Sequence, residues 1–465
     1  MNLDQFSLIK YIKIKNINQN YIKLIQILIL GILIRIAISI YSSWADTSVF
    51  ASYSVTMLYG GIYDRTLLTV YPPIWIYFLN IIGKITNFLI PPYNILYSNS
   101  YLVYISTIDS MFNYYIVNPI YLIIEKSFLS IFDILDSFLI FYIVYEFTKD
   151  FKKSLMGFTL FFLNPLTIFI SSMHGTFDLI AVFFTLSSFY FTLKKKPFFS
   201  GISLGLGIAT KYYDIFLIFL IIAMMIKTFK MPRKSLIKNL FVFIIGVIFA
   251  IIIIYTPVIF SLGITNFLNI AKTPIVTGQS FNGFNEWSIF NIPGLSSIQL
   301  WLNIHYSLLI DILLLITITS IIFIALMYYK LPNSDNKVLL YSFSLSFIFI
   351  YFFIPVVQPQ YTSWILPFLI LIFVLYNELS LELIVFSVFP VLFYLFGLSG
   401  PLSWFPEFFT FTKFNNYYIL IQSIKFWLSI RTYEIYLMLI PVFLIQVLII
   451  FKYAFLIYKS KKVSK

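Results

Sequence analysis

The chain has no cysteine and only two histidines, His174 and His305, in 465 residues. The first absence excludes disulfides, thiolate metal sites and cysteine nucleophiles, and the second leaves little for a histidine-built zinc centre. Metal chemistry would have to use carboxylates; a divalent ion is compatible with the sequence but not indicated, and no cofactor is expected to be required. Charge is scarce as well, at 11% of residues against roughly a quarter in soluble domains. Four of the 31 basic residues are arginine (Arg35, Arg65, Arg233, Arg431), which marks each as a specific choice. A glycine-rich phosphate loop, a nucleotide fingerprint and a Ser-His-Asp elbow are all missing. An activated donor would therefore arrive through a membrane and not as a cytosolic nucleotide.

What is present is apolar: 60% hydrophobic and 21% aromatic residues, with a mean hydropathy of +0.94. Only a bilayer accommodates that much apolar surface over the whole length, so the expectation is an all-α polytopic membrane protein. At about 20 apolar residues per helix, the breaks between runs place spans near 24–41, 129–147, 154–171, 177–193, 199–211, 213–228, 238–259, 307–328, 338–356, 362–376, 380–398 and 433–457, about twelve in all. The polar, lysine-dotted start lacks a small-residue cleavage site, so the first span is expected to stay in the protein.

The net charge of +13 does not read as a nucleic-acid surface, because the lysines fall in short clusters between apolar runs. Twenty-two of the 31 basic residues lie on one side of the assigned spans and eight on the other, with Arg35 inside a span. The lysine-rich side is expected to be cytoplasmic, carrying both termini. The opposite side holds three long segments, 42–128, 260–306 and 399–432, and is expected to be the working, extracytoplasmic face. Stretches 72–90 and 101–124 in the first read as interfacial or re-entrant helices. The organisation expected is a cytoplasmic segment 1–23, a transmembrane module 24–398, and an outer loop, last span and tail over 399–465.

Ionisable residues near span ends are costly in a membrane and each is a functional candidate. Asp46 follows the first span in Trp44-Ala45-Asp46-Thr47, at headgroup depth, where it could equally cap a helix. Asp64-Arg65 can be a local ion pair, and Tyr71-Pro72-Pro73 sets a rigid helix entry. Ser171-Ser172-Met173-His174-Gly175-Thr176-Phe177-Asp178 follows Asn164-Pro165; its histidine and aspartate can meet one substrate, meet each other, or be turn residues. Lys211 could bind a phosphate as a point charge, or snorkel and pair with Asp214. Gln358, Gln360 and Tyr361, with Trp364, suit either a sugar face or an aromatic belt, and Glu286 with Trp287 is similarly open.

In this order the elements resemble the GT-C superfamily of polyprenyl-phosphate-sugar-dependent glycosyltransferases, most nearly the mannosyltransferases related to the second enzyme of that type in GPI-anchor synthesis. The residues that carry the resemblance are Asp46, Gly61-Ile62-Tyr63, Tyr71-Pro72-Pro73, Phe132-Asp133 with Asp136, Asn164-Pro165, His174-Gly175-Thr176-Phe177-Asp178 and Gly205-Leu206-Gly207-Ile208-Ala209-Thr210-Lys211. They span roughly 44–215, and beyond that only the glutamines and tyrosine at 358–361 are similar. The resemblance implies inverting transfer of a hexose, mannose or glucose, from a polyprenyl-phosphate donor to a lipid-linked glycan or glycolipid acceptor at the extracytoplasmic face. It implies Asp46 as the base, Lys211, His174 and Arg65 toward the donor phosphate, and Asp178, Asp64, Tyr71, Gln358, Gln360, Tyr361, Glu286 and Trp287 toward sugar or acceptor. Partners would be the two lipid substrates and membrane lipids, with no nucleic acid. Relatives often have a charged residue or histidine where this chain has Gln358 or Gln360. The competing classes are a secondary transporter, kept open by Asp133 and Asp136 inside span two, a lipid-linked-sugar flippase, and a structural membrane subunit.

Overall fold

The computed structural model describes residues 3–60, 71–97, 116–229, 231–265, 306–331, 336–353, 358–398, 404–411, 422, 426 and 440–459. Apart from a two-residue antiparallel pairing, β1 (Leu96–Tyr97) with β2 (Ile116–Val117), the described residues build helices. These are α1 (Leu3–Ser39), α2 (Ala45–Gly60), α3 (Pro73–Leu89), α4 (Pro119–Thr148), α5 (Phe151–Phe162), α6 (Pro165–Ile168), α7 (Asp178–Leu193), α8 (Pro197–Thr210), α9 (Ile218–Phe229), α10 (Arg233–Leu262), α11 (Tyr306–Lys330), α12 (Asn336–Phe353), α13 (Leu366–Tyr376), α14 (Ser380–Leu392) and α15 (Pro406–Phe411), followed by α16 (Ile440–Lys459).

The architecture is an all-α polytopic membrane protein. Among the described residues eight helical stretches are long and apolar enough to cross a bilayer, two of them α9 and α13 taken with the 3-10 turns Tyr212–Leu217 and Pro359–Trp364 that precede them, and a ninth results if the bent pair Phe151–Phe162 with Pro165–His174 is one span. Asp178–Leu193, Pro197–Thr210 and Ser380–Phe396 are shorter apolar helices standing where three further spans are expected.

Proline and asparagine set the boundaries. Asn118 and Asn164 each precede a proline at the first helical position, and each side-chain oxygen accepts from the backbone N–H two residues on, at 2.9 Å. Asparagine is a strong N-cap, and proline is tolerated there because that N–H has no helical partner. Asn118-Pro119 therefore starts α4 ten residues before the expected second span. Residues 119–128, assigned by sequence to an outer loop, are the first turns of a 30-residue helix. Asn164-Pro165 instead breaks the third span with a bend of 44°, after which Phe169–His174 winds as a π-helix. Wider turns of this kind commonly occur at functional sites.

Close packing also needs small residues. A Cβ on Gly201 of α8 would stand 2.1 Å from the carbonyl oxygen of Phe243, and one on Gly205 would stand 2.8 Å from Cβ of Ala250. These two glycines, four apart, let α8 and α10 touch backbone to backbone, the usual contact where lipid removes the hydrophobic drive between helices. A large apolar core joins α4 to α14 and α16. A second core joins α2, α3 and the start of α4 to Phe177 and Ile180. The turn 174–178 passes from the first core to the second, so its polar residues sit at their junction.

Candidate functional site

Asp46 lies in the first turn of α2, where the helix N-terminus favours negative charge. Its Oδ2 is 2.9 Å from Nε2 of His174, and its side chain is 33% exposed while that of His174 is 2% exposed. The imidazole is walled by Tyr394, Trp404 and Phe169, with ring centroids 4.8, 5.5 and 6.0 Å away. Its Nδ1 is buried and has no hydrogen-bond partner among the described residues. A neutral ring carrying its proton on Nε2 leaves only an acceptor unpaired, whereas a doubly protonated ring would bury an unpaired N–H. The geometry thus makes His174 a donor to the Asp46 carboxylate.

Asp178 opens α7 and lies 3.3 Å from Nζ of Lys211. Lys211 is in an extended conformation between α8 and the 3-10 turn Tyr212–Leu217, and Asp178, not Asp214, receives its ammonium. That ammonium sits over Phe177 at 4.4 Å and over Tyr361 at 5.0 Å, an arrangement that holds a cation without hydrogen-bonding it. Although the pair is at ion-pair distance, neither Asp178 oxygen has hydrogen-bond geometry to a partner, and both are buried. Nearby, Tyr361 stacks on Trp364 at 4.5 Å, and Gln360 Oε1, Trp364 Nε1 and Thr176 Oγ1 are also buried without hydrogen-bond partners. Buried polar atoms normally find partners, and this concentration marks the most polar part of the buried interior near Asp178 and Lys211.

The two pairs share one neighbourhood. Asp46 and Asp178 both act electrostatically on Tyr361 and on Tyr394. Tyr71 packs edge-on against Phe50 and Phe177. Burial, reinforced by Asp46, holds its phenol well above the usual 10.0, so it stays protonated. Gln358 caps the 3-10 turn Pro359–Trp364 through its carbonyl, which accepts from Tyr361 N at 3.0 Å. Asp46, His174, Asp178, Lys211, Tyr71, Gln360 and Tyr361 are thus brought together. Asp64, Arg65, Glu286 and Trp287 lie outside the described residues. Among the described residues no three His, Cys, Asp or Glu side chains gather to hold a metal ion.

Several contacts are not legible in the sequence. Arg35 and Asp133, both buried, form an ion pair at 2.7 Å; Arg35 also donates to Phe162 O at 2.8 Å, and Asp133 accepts from Ser171 Oγ at 2.6 Å. Asp133 Oδ2 is therefore tied to the helix break, while its Oδ1 and both oxygens of Asp136 are buried without hydrogen-bond partners among the described residues. Lys126, assigned to an outer loop, is fully buried in α4. Its signal was a stripe at helical spacing, Lys126, Ser130, Asp133 and Ser137, in an otherwise apolar segment. Trp404, stacked on Trp44 at 4.4 Å, and Glu407, which accepts from Ser43 Oγ and from Val117 N, come from a distant segment with no local signal.

Residues 95–282 match the family described as GPI transamidase subunit PIG-U. The match covers less than half of the chain; it includes Lys126, His174, Asp178 and Lys211 but not Asp46, Tyr71 or Gln360. No curated protein matches the chain. The similarity is to a membrane family named for GPI biology, which is compatible with a role on membrane glycans, and that family is described as a subunit of an enzyme complex.

Proposed function

We propose that the protein is an inverting glycosyltransferase that moves a hexose from a polyprenyl-phosphate sugar to a hydroxyl of a lipid-linked glycan or glycolipid. The observation that carries this reading is the partly open Asp46 carboxylate, held by buried His174 beside the Asp178–Lys211 pair and a cluster of unpartnered buried polar atoms. Asp46 would take the proton of the acceptor hydroxyl as its oxygen attacks the anomeric carbon. The bond from that carbon to the phosphate oxygen would break on the opposite face, and the electron pair would leave with the polyprenyl phosphate. Lys211 is the cation placed to stabilise that phosphate, and an incoming phosphate would compete with Asp178 for it. Asp178, Gln360 and Trp364 offer acceptors and a donor to sugar hydroxyls. The lysine-rich ends of α4, α5, α7, α8, α11 and α12 lie away from the site, which supports an extracytoplasmic position for it and cytoplasmic termini.

A second reading, a subunit that binds a lipid-linked glycan without transferring sugar, is favoured by the similarity to a family of GPI transamidase subunits. Purified protein in nanodiscs, offered short-chain polyprenyl-phosphate mannose and glucose with a membrane lipid extract, separates the two. Appearance of hexose in a new lipid supports transfer. Saturable binding of a lipid-linked glycan, with neither donor consumed under any acceptor, moves the assignment to the binding subunit.

A further inference from the structure

The π-helix that ends in His174 is gripped residue by residue from three other elements. Ser171 Oγ donates to Asp133 at 2.6 Å. The carbonyl of Ser172 accepts from Ser42 Oγ at 3.2 Å, that of Met173 from Lys126 Nζ at 2.9 Å, and that of His174 from Thr47 Oγ1 at 2.8 Å. Lys126 is the hub, because its ammonium also donates to the carbonyl and, at 3.0 Å, to the hydroxyl of Ser42. It thereby joins the end of the first span to the end of the broken one, with Glu125 and Glu407 in electrostatic reach. The glycine that follows His174 belongs to the same device. Gly175 has φ +77°, and a Cβ there would stand 2.9 Å from Thr47 Oγ1 and 3.2 Å from Lys126 Cε.

A buried ammonium committed to backbone carbonyls is costly to desolvate, and α4 needs no lysine to fold. We propose that Lys126 is a positioning residue for the Asp46–His174 pair, fixing the carbonyls on either side of the break so that Nε2 of His174 meets the Asp46 carboxylate. Its part in turnover rests on Asp46 being the base of the transfer proposed above; its grip on His174 does not.

The chain has two histidines, so a His305→Gln background leaves His174 as the only imidazole that diethyl pyrocarbonate can modify, its adduct read at the His174 peptide by mass. In that background His174 is expected to be protected, Lys126→Met to label it roughly tenfold faster, and Lys126→Arg to remain close to the parent. In the hexose-transfer assay Lys126→Met should lower kcat by about 10²-fold with the donor KM within a few-fold, the range lost when a base is mispositioned. Rapid labelling of the parent, or unchanged labelling in Lys126→Met, overturns the proposal; so does faster labelling with unaltered kcat, which would make Lys126 merely structural. If Lys126→Met does not elute as a folded protein, Ser42→Ala and Thr47→Val replace it, each removing one carbonyl donor. Faster labelling in either supports the grip, and protection in both overturns it. Should the parent transfer no hexose from any donor, the functional reading fails while the labelling result still decides the grip.

Discussion

The two ends of the helix bundle use charge in opposite ways. At one end Glu146 receives Lys149 at 3.0 Å and Lys194 at 2.7 Å, with the Lys149 side chain 62% exposed, and Lys337 meets Glu378 at 2.6 Å. Water solvates these groups whether or not they pair, and each pair is worth little. At the other end His174, Asp178 and Lys126 are buried, Lys211 is 14% exposed and Asp46 alone is partly open, and each faces a polar or charged group of the fold. A charge withdrawn from water must be compensated by the fold or by a ligand, and here several polar atoms are compensated by neither. The lysine-rich end leaves its charges to water; the other end holds its polar groups inside the fold.

The largest break in that contrast should come from the buried pair. Lys211→Met leaves the Asp178 carboxylate uncompensated and is expected to cost roughly 3 kcal/mol of stability, as when one partner of a buried pair is removed. Adding Asp178→Asn should recover most of that stability in thermal unfolding but none of the transfer activity; recovery of both would mean that the pair only holds the fold. Gly175→Ala comes next, at about 1–2 kcal/mol, because the residue takes a left-handed conformation beside Lys126 and Thr47. The same substitution at Gly60, which has open space around it, sharpens the comparison by leaving the thermal midpoint nearly unmoved.

Glu407 tests burial through pH. Desolvation raises its carboxyl from 4.5 to about 7, although Ser43 and Val117 hydrogen-bond it. A carboxyl raised by folding contributes stability that is complete below its unfolded value and is lost as pH rises toward the folded one. The protein should therefore lose stability between about pH 4.5 and 7. Glu407→Gln should flatten that slope and unfold at a higher temperature than the parent at pH 8; an unchanged slope would remove Glu407 as its source. The smallest effect belongs to the lysine-rich end, where Glu146→Ala should change stability by about 0.5 kcal/mol or less, measurable in the same unfolding series.

The contrast also explains what the sequence disclosed. Length and hydropathy gave the fold class, and Asn-Pro steps marked breaks, because bilayer thickness and proline sterics act locally. Asp46, His174, Asp178 and Lys211 could be singled out because an ionisable residue at a span end stands out in an apolar chain. Their pairing could not: His174 meets a residue 128 positions away and not the aspartate four along. Lys126 falls in the long segment 42–128 by sequence, and the Asn118 cap before Pro119 instead places it in the first turns of α4. Trp404 and Glu407 are set against Trp44 and Ser43 by the fold alone, and no spacing rule reaches them.

The most direct test of a catalytic end is hexose transfer by the parent and by Asp46→Asn, purified side by side and shown to unfold at similar temperatures. Loss of a positioned base predicts a rate lower by about 10²–10⁴-fold with donor binding retained. An Asp46→Asn protein that transfers hexose at the parental rate would contradict the account.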